Sequence, residues 1–102
     1  MDISKLMKQA QQMQAKMARA QEELAAKEVA AEVAGGQVQV VMDGKHRLKS
    51  LTIAPECFDA DDVEFLQDLV VAAVNEGVRK VDELVEKEMS SVTGGMNLPG
   101  LG

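Results

Sequence analysis

Between Met1 and Ala34 the chain contains neither glycine nor proline, so nothing in its first third breaks a helix from within. The opening stretch is rich in Gln, Lys, Ala and Met, all strong helix formers, and predicts one long helix to about Lys27. Along it Ile3, Leu6, Ala10, Met13, Met17, Ala20 and Leu24 recur at alternating steps of three and four, which lines them up on one narrow seam. Alanine at two of those positions makes the seam thin. With 102 residues in all, one small domain is expected rather than two independent cores.

At Glu28 the period changes. Val29, Ala31 and Val33 alternate with Glu28, Ala30 and Glu32 until Gly35 and Gly36 interrupt them, the pattern of a half-buried strand. A second strand is expected over 37–42, a hairpin at Asp43–Gly44, and a third strand to about Ile53. A two-residue loop would put Lys45, Arg47 and Lys49 on the face of Val38, Val40 and Met42. A three-residue loop with Gly44 or Lys45 left-handed is preferred: it sets His46 and Leu48 opposite Met42 and Val40 and sends the three cations to the other face. On that reading Val41, Leu51 and Ile53 make the second face partly apolar as well, more than one helix can cover, and a partner chain is expected.

Pro55 ends the third strand, and Asp61 with Glu64 has the spacing of a capping box. From Val63 onward apolar residues repeat at helical spacing to about Met89. The residues after it, SSVTGGMNLPGLG, hold four of the eight glycines and Pro99, and read as a flexible tail. The expected architecture is α+β: a long N-terminal helix, a three-stranded antiparallel meander and a long C-terminal helix. It forms one α-β-β-β-α domain over 1–89, with a glycine-rich tail over 90–102.

Composition removes most catalytic chemistry. There is no Trp or Tyr, and only Phe58 and Phe65, so no aromatic platform exists for stacking bases or sugars. Cys57 is the single cysteine, which rules out an intramolecular disulfide and a multi-cysteine zinc site, and it is expected as a small buried filler near the Pro55 turn. The single His46 lies far from Cys57 in sequence, so no nucleophile and base pair up, and a histidine with an ordinary hydrogen-bond partner is expected. The acidic run Asp59, Asp61, Asp62 and Glu64 lacks the glycine and alternating oxygen ligands of a calcium loop and is explained by helix capping. No phosphate-cradling loop is present, because no P-loop lysine follows Gly35 and Gly36. Neither an enzyme nor a metal or other cofactor is expected. The longest apolar run, Leu69 to Val74, is too short for a signal peptide or a membrane span, so a cytosolic protein is expected.

The net charge of −6 argues against a polyanionic partner when taken whole, yet the charge is divided. Residues 1–20 carry Lys5, Lys8, Lys16 and Arg19 against Asp2 alone. At 100° per residue, Lys5, Lys8, Gln12, Lys16 and Arg19 fall within an arc of roughly 80°, away from the apolar seam, and extend about 21 Å along the axis. That is long enough to follow several phosphates of one duplex. Lys45, Arg47 and Lys49 add a second, weaker group of candidates. Residues 56–88 hold eleven acidic side chains against Arg79, Lys80 and Lys87, so the second helix should point away from a polyanion. Gln9, Gln11 and Gln12 reach far enough to touch groove edges but are also ordinary helix formers.

The blocks LMKQAQQMQAKM, QEEL, LTIAPE and MSSVTGGMNLPGL resemble the YbaB/EbfC family of bacterial nucleoid-associated proteins, and the resemblance spans nearly the whole chain. It implies an intertwined homodimer from which paired helices project like tweezer arms, and binding to double-stranded DNA in the nucleoid of the cytoplasm. Carried over by position, the family's N-terminal arm corresponds to residues 4–24, which makes Lys5, Lys8, Gln12, Lys16 and Arg19 the DNA-contacting side chains. Lys45, Arg47 and Lys49 rest on charge only. The rival reading is a protein-interaction module that docks a DNA-repair, recombination or replication factor through its Met-containing helix or its GGMNLPGLG tail.

Overall fold

A computed structural model describes residues 2–94. Helix α1 spans Ile3–Ala26 and is followed by strands β1 (Glu28–Val33), β2 (Val38–Asp43) and β3 (Leu48–Ile53), and by helix α2 (Val63–Thr93). The sheet is antiparallel in the order β1-β2-β3, so the expected helix, meander and helix are all present. α2 runs four residues beyond the expected end at Met89: Ser90–Thr93 are helical, and Thr93 Oγ1 donates back to the Met89 carbonyl at 3.1 Å. The rest of the expected tail, from residue 95, lies outside the described residues.

The helix starts follow local chemistry. Asp2 caps α1 by accepting from the Ser4 amide at 3.1 Å, and Asp62, rather than Asp61, caps α2 by accepting from the Phe65 amide at 3.2 Å. Asp61 instead gives its amide to the Asp59 carboxylate.

The inner face of the sheet pairs Val29 with Met42, Ala31 with Val40 and Val33 with Val38. α2 lies across these two strands, burying Ala73 and Val81 together with Ala31, Val38, Val40 and Met42. Gly77 is what lets it approach: a Cβ there would sit 3.2 Å from Val40 Cγ2. Cys57 joins this core as a buried free thiol, as its sequence position suggested.

The second hairpin has a three-residue loop, but it is displaced by one residue from the expected one: it spans 44–46, Leu48 rather than His46 lies opposite Met42, and Leu51 rather than Leu48 lies opposite Val40. Two further details differ from the expectation. The left-handed residue is His46 (φ 63°) rather than Gly44 or Lys45. Histidine is among the residue types that tolerate this region, and Gly44 is needed elsewhere, as described below. There is also a bulge: Leu48 pairs with Met42, but Ser50 already pairs with Val41, leaving Lys49 as the extra residue. Beyond it Leu51 pairs with Val40 and Ile53 with Val38, so both lie on the inner face, not with Val41 on the outer one. The apolar surface that α2 leaves uncovered is therefore the β3 end of the inner face, where Leu48 is 46% and Leu51 42% exposed.

Candidate nucleic-acid interface

Among the described residues, α1 is held at one end only. Its buried residues are Ala20 and Leu24, and its remaining seam residues Ile3, Leu6 and Met17 are 70%, 48% and 45% exposed. The anchor is a close contact between backbones. The Gly44 amide donates to the carbonyls of Leu24 (2.9 Å) and Lys27 (3.1 Å), satisfying acceptors that a helix C-terminus leaves open. A Cβ at Gly44 would meet the Leu24 carbonyl oxygen at 2.3 Å, so no other residue fits without displacing the helix.

Asp43 braces the same corner. Its buried carboxylate accepts the amides of Lys45 (2.8 Å) and Arg47 (3.0 Å) and the Arg47 Nε (2.8 Å). Burial alone would push its pKa up, but the Arg47 and Lys45 amides with the guanidinium outweigh it and hold the carboxyl below its ordinary value. On the neighbouring side His46 Nε2 donates to Asp82 at 2.8 Å, tying the hairpin tip to α2. Lys80 reaches from α2 to the Ala30 carbonyl at 2.9 Å. His46 and Cys57 thus have separate structural surroundings, the first at the hairpin tip and the second in the core.

Where the two helices part, Lys27 Nζ bonds Glu88 at 2.8 Å. Hydrogen bonding to Glu88 and the charge of that group hold the Glu23 carboxyl above its ordinary value, whereas Glu88, bonded by Glu23 and Lys27, is held below. A groove of about 190 Å³ at this junction is lined by Lys16, Arg19, Ala20 and Glu23 of α1 and by Glu88, Ser91 and Val92 of α2. The end of α2 thus stands at the level of Lys16. About 20 Å of α1 continues past it, from the 1.5 Å rise per residue.

Lys5, Lys8, Gln12, Lys16 and Arg19 are all exposed on this helix. Among the described residues none of the four cations forms an ion pair. Lys5 and Lys8 stand on the projecting part, while Lys16 and Arg19 share the junction groove with Glu23 and Glu88. The second group of candidates behaves differently. Arg47 is held by Asp43, and Lys45 bonds Gln21, which lies about 180° around α1 from the centre of the basic stripe. Lys49 is exposed at the bulge. The Asp43 brace and the Gly44 contact were not singled out from sequence for any such role. The Asp43–Gly44 pair at the hairpin is the only sign of them in the sequence.

Among the described residues, no group of three or more His, Cys, Asp or Glu side chains is placed to hold a metal ion. Nor, among the described residues, is any helix long and apolar enough to cross a membrane.

Similar proteins place this arrangement in context. A nucleoid-associated protein of Acetivibrio thermocellus is 54% identical over 101 residues, covering 98% of this chain and 89% of that protein. One from Ruminiclostridium cellulolyticum is 50% identical over 101 residues, covering 98% and 88%. The crystal structure of an uncharacterized protein from Helicobacter pylori shares the fold with a TM-score of 0.80, at 24% identity, over 92% of this chain and 99% of that one. Residues 1–96 match the YbaB/EbfC DNA-binding family, and with so much of its length accounted for the chain belongs to that family.

Proposed function

We propose that the protein acts as a homodimer that binds double-stranded DNA at the nucleoid, in the cytoplasm, through phosphate contacts from its projecting α1 arms and with modest sequence preference. The observation that carries this reading is the row Lys5, Lys8, Lys16 and Arg19, exposed along one side of α1 and free of ion pairs among the described residues. Gln12 sits within the same row and supplies a neutral hydrogen-bonding contact. Lys49 is a secondary contact, and Lys45 and Arg47 contribute to the field around the hairpin rather than to the row. No catalytic step is involved.

Dimerisation is supported by the β3 edge. All of β3 except the partly covered Ile53 is exposed, with Leu48 and Leu51 uncovered on the inner face, and Phe58, Val63 and Phe65 are more than half exposed nearby in sequence. A second copy seated there would cover this surface and bring two arms into one particle. Light scattering is expected to give twice the chain mass, and Leu51→Asp to return it to one. A monomer mass for the unaltered protein at working concentration overturns the dimer.

The DNA reading is tested by fluorescence anisotropy of a labelled duplex across a salt series. Four neutralised phosphates per arm give a slope of log K on log salt of about −3.6, and steeper when both arms engage. The variant K5E/K8E/K16E/R19E is expected to lose binding by a factor of roughly 10³ or more while keeping its circular dichroism spectrum. No binding at low salt by the folded protein would transfer the function to the rival reading, docking of a repair or replication factor.

A further inference from the structure

The basic stripe of α1 has two chemically different halves. Lys5 and Lys8 stand on the projecting part, whereas Lys16 and Arg19 line the junction groove together with the carboxylates of Glu23 and Glu88. At about 190 Å³ the groove is small for a drug-sized ligand, whose pockets run from about 300 Å³ upward, but it takes a single phosphate group. Three side chains able to donate line it: Lys16, Arg19 about one helical turn away, and Ser91 across the groove on α2.

The two carboxylates oppose an anion there. Glu88, its side chain 12% exposed, is compensated by Lys27 at 2.8 Å. Glu23 forms no ion pair among the described residues and lies within hydrogen-bonding reach of Glu88, so the pair carries one more negative charge than Lys27 cancels. A hydrogen bond between two carboxyl groups needs a proton on one of them, and Glu88 already makes Glu23 the easier of the two to protonate. A phosphate arriving beside the pair adds negative charge and pushes the same way. We propose that this groove seats one backbone phosphate of the duplex against Lys16 and Arg19, and that Glu23 takes up a proton from solvent as the phosphate enters. The protonated Glu23 donates to Glu88, and the groove becomes one charge more favourable to the anion. The groups facing the pair among the described residues are Lys16, Arg19 and Lys27 from α1, and the neutral Ser91 and Val92 from α2. The site rests on the DNA binding proposed above, and adds to it a proton and the end of α2.

The test is the affinity of the full chain for a labelled duplex, read by fluorescence anisotropy at fixed low salt from about pH 8 to about pH 5.5. Proton uptake on binding makes affinity rise as the pH falls, and the natural protein is expected to bind about fivefold more tightly at the acid end. Glu23→Gln, neutral at every pH, is expected to keep its salt dependence and lose this gain. Two controls are expected to retain it: Glu22→Gln removes the same charge one residue away and outside the groove, and His46→Asn removes the one histidine while tolerating its left-handed backbone. A gain undiminished in Glu23→Gln overturns the site, as does its loss in either control. An affinity that falls with salt but is constant with pH also overturns the site and leaves the DNA binding standing. No binding at any pH by protein that keeps its circular dichroism spectrum overturns both.

Discussion

The two long helices obey opposite rules. α2 is fixed to the sheet along its middle by Ala73, Gly77 and Val81, and on its outer side Arg79 bonds both Glu76 and Glu83, hydrogen bonding to Glu76 holding the guanidinium even more firmly protonated than usual. α1 is fixed at one end by Ala20, Leu24 and the Gly44 amide, and its four outward cations pair with nothing described. α2 draws its stability from packing against the sheet. α1 keeps its cations free of ion pairs among the described residues and most of its length unburied, and depends on helix-forming residues and the Asp2 cap to stay helical.

That contrast is broken most severely at the anchor. Leu24→Ala empties a fully buried site and is expected to cost about 2–5 kcal/mol in denaturant unfolding, whereas Leu6→Ala on the same seam should change stability by no more than about 0.5 kcal/mol. Equal losses at both positions would mean that α1 is not held at one end. Gly44→Ala comes next: its methyl group collides with the Leu24 carbonyl oxygen, with an expected loss of about 1–3 kcal/mol and faster amide exchange at Lys27 and Gly44. The smallest effect concerns Asp43. Its folded-state pKa lies below its ordinary value of 3.8, so its bonds stabilise the fold above pH 3.8 and that contribution is lost as the pH falls through the lowered value. Asp43→Asn is expected to flatten this acid-side decline in thermal unfolding curves while weakening the hairpin at neutral pH.

Periodicity made the element order legible. A glycine-free run at helical spacing, an alternating strand and a second helical run leave few other folds for a chain of this length. The basic stripe was equally legible, because five side chains on one helix need no tertiary information to be placed on one side of it. What depended on contacts between elements was not. The Lys49 bulge arises in the pairing of β2 with β3, and it moved Leu51 and Ile53 to the face opposite the one expected. His46 adopts the left-handed conformation as the last residue of the 44–46 loop, while Gly44, the first, donates its amide to a carbonyl twenty residues away in the chain. The extra turn of α2 runs through Ser90 to Thr93, residues of only middling helix propensity.

Because the described contacts that fix α1 gather at its C-terminal end, at Ala20, Leu24 and the Gly44 amide, α1 is also a lever. From Leu24 to Ile3 the helix is about 31 Å long, so a 10° rotation at the hairpin carries the tip about 5 Å, more than the rise between successive phosphates on one strand. Under the proposed function, the register of the tip cations on a duplex would be set at the far end of the helix, where the Gly44 amide meets the Leu24 carbonyl with no methyl group between them.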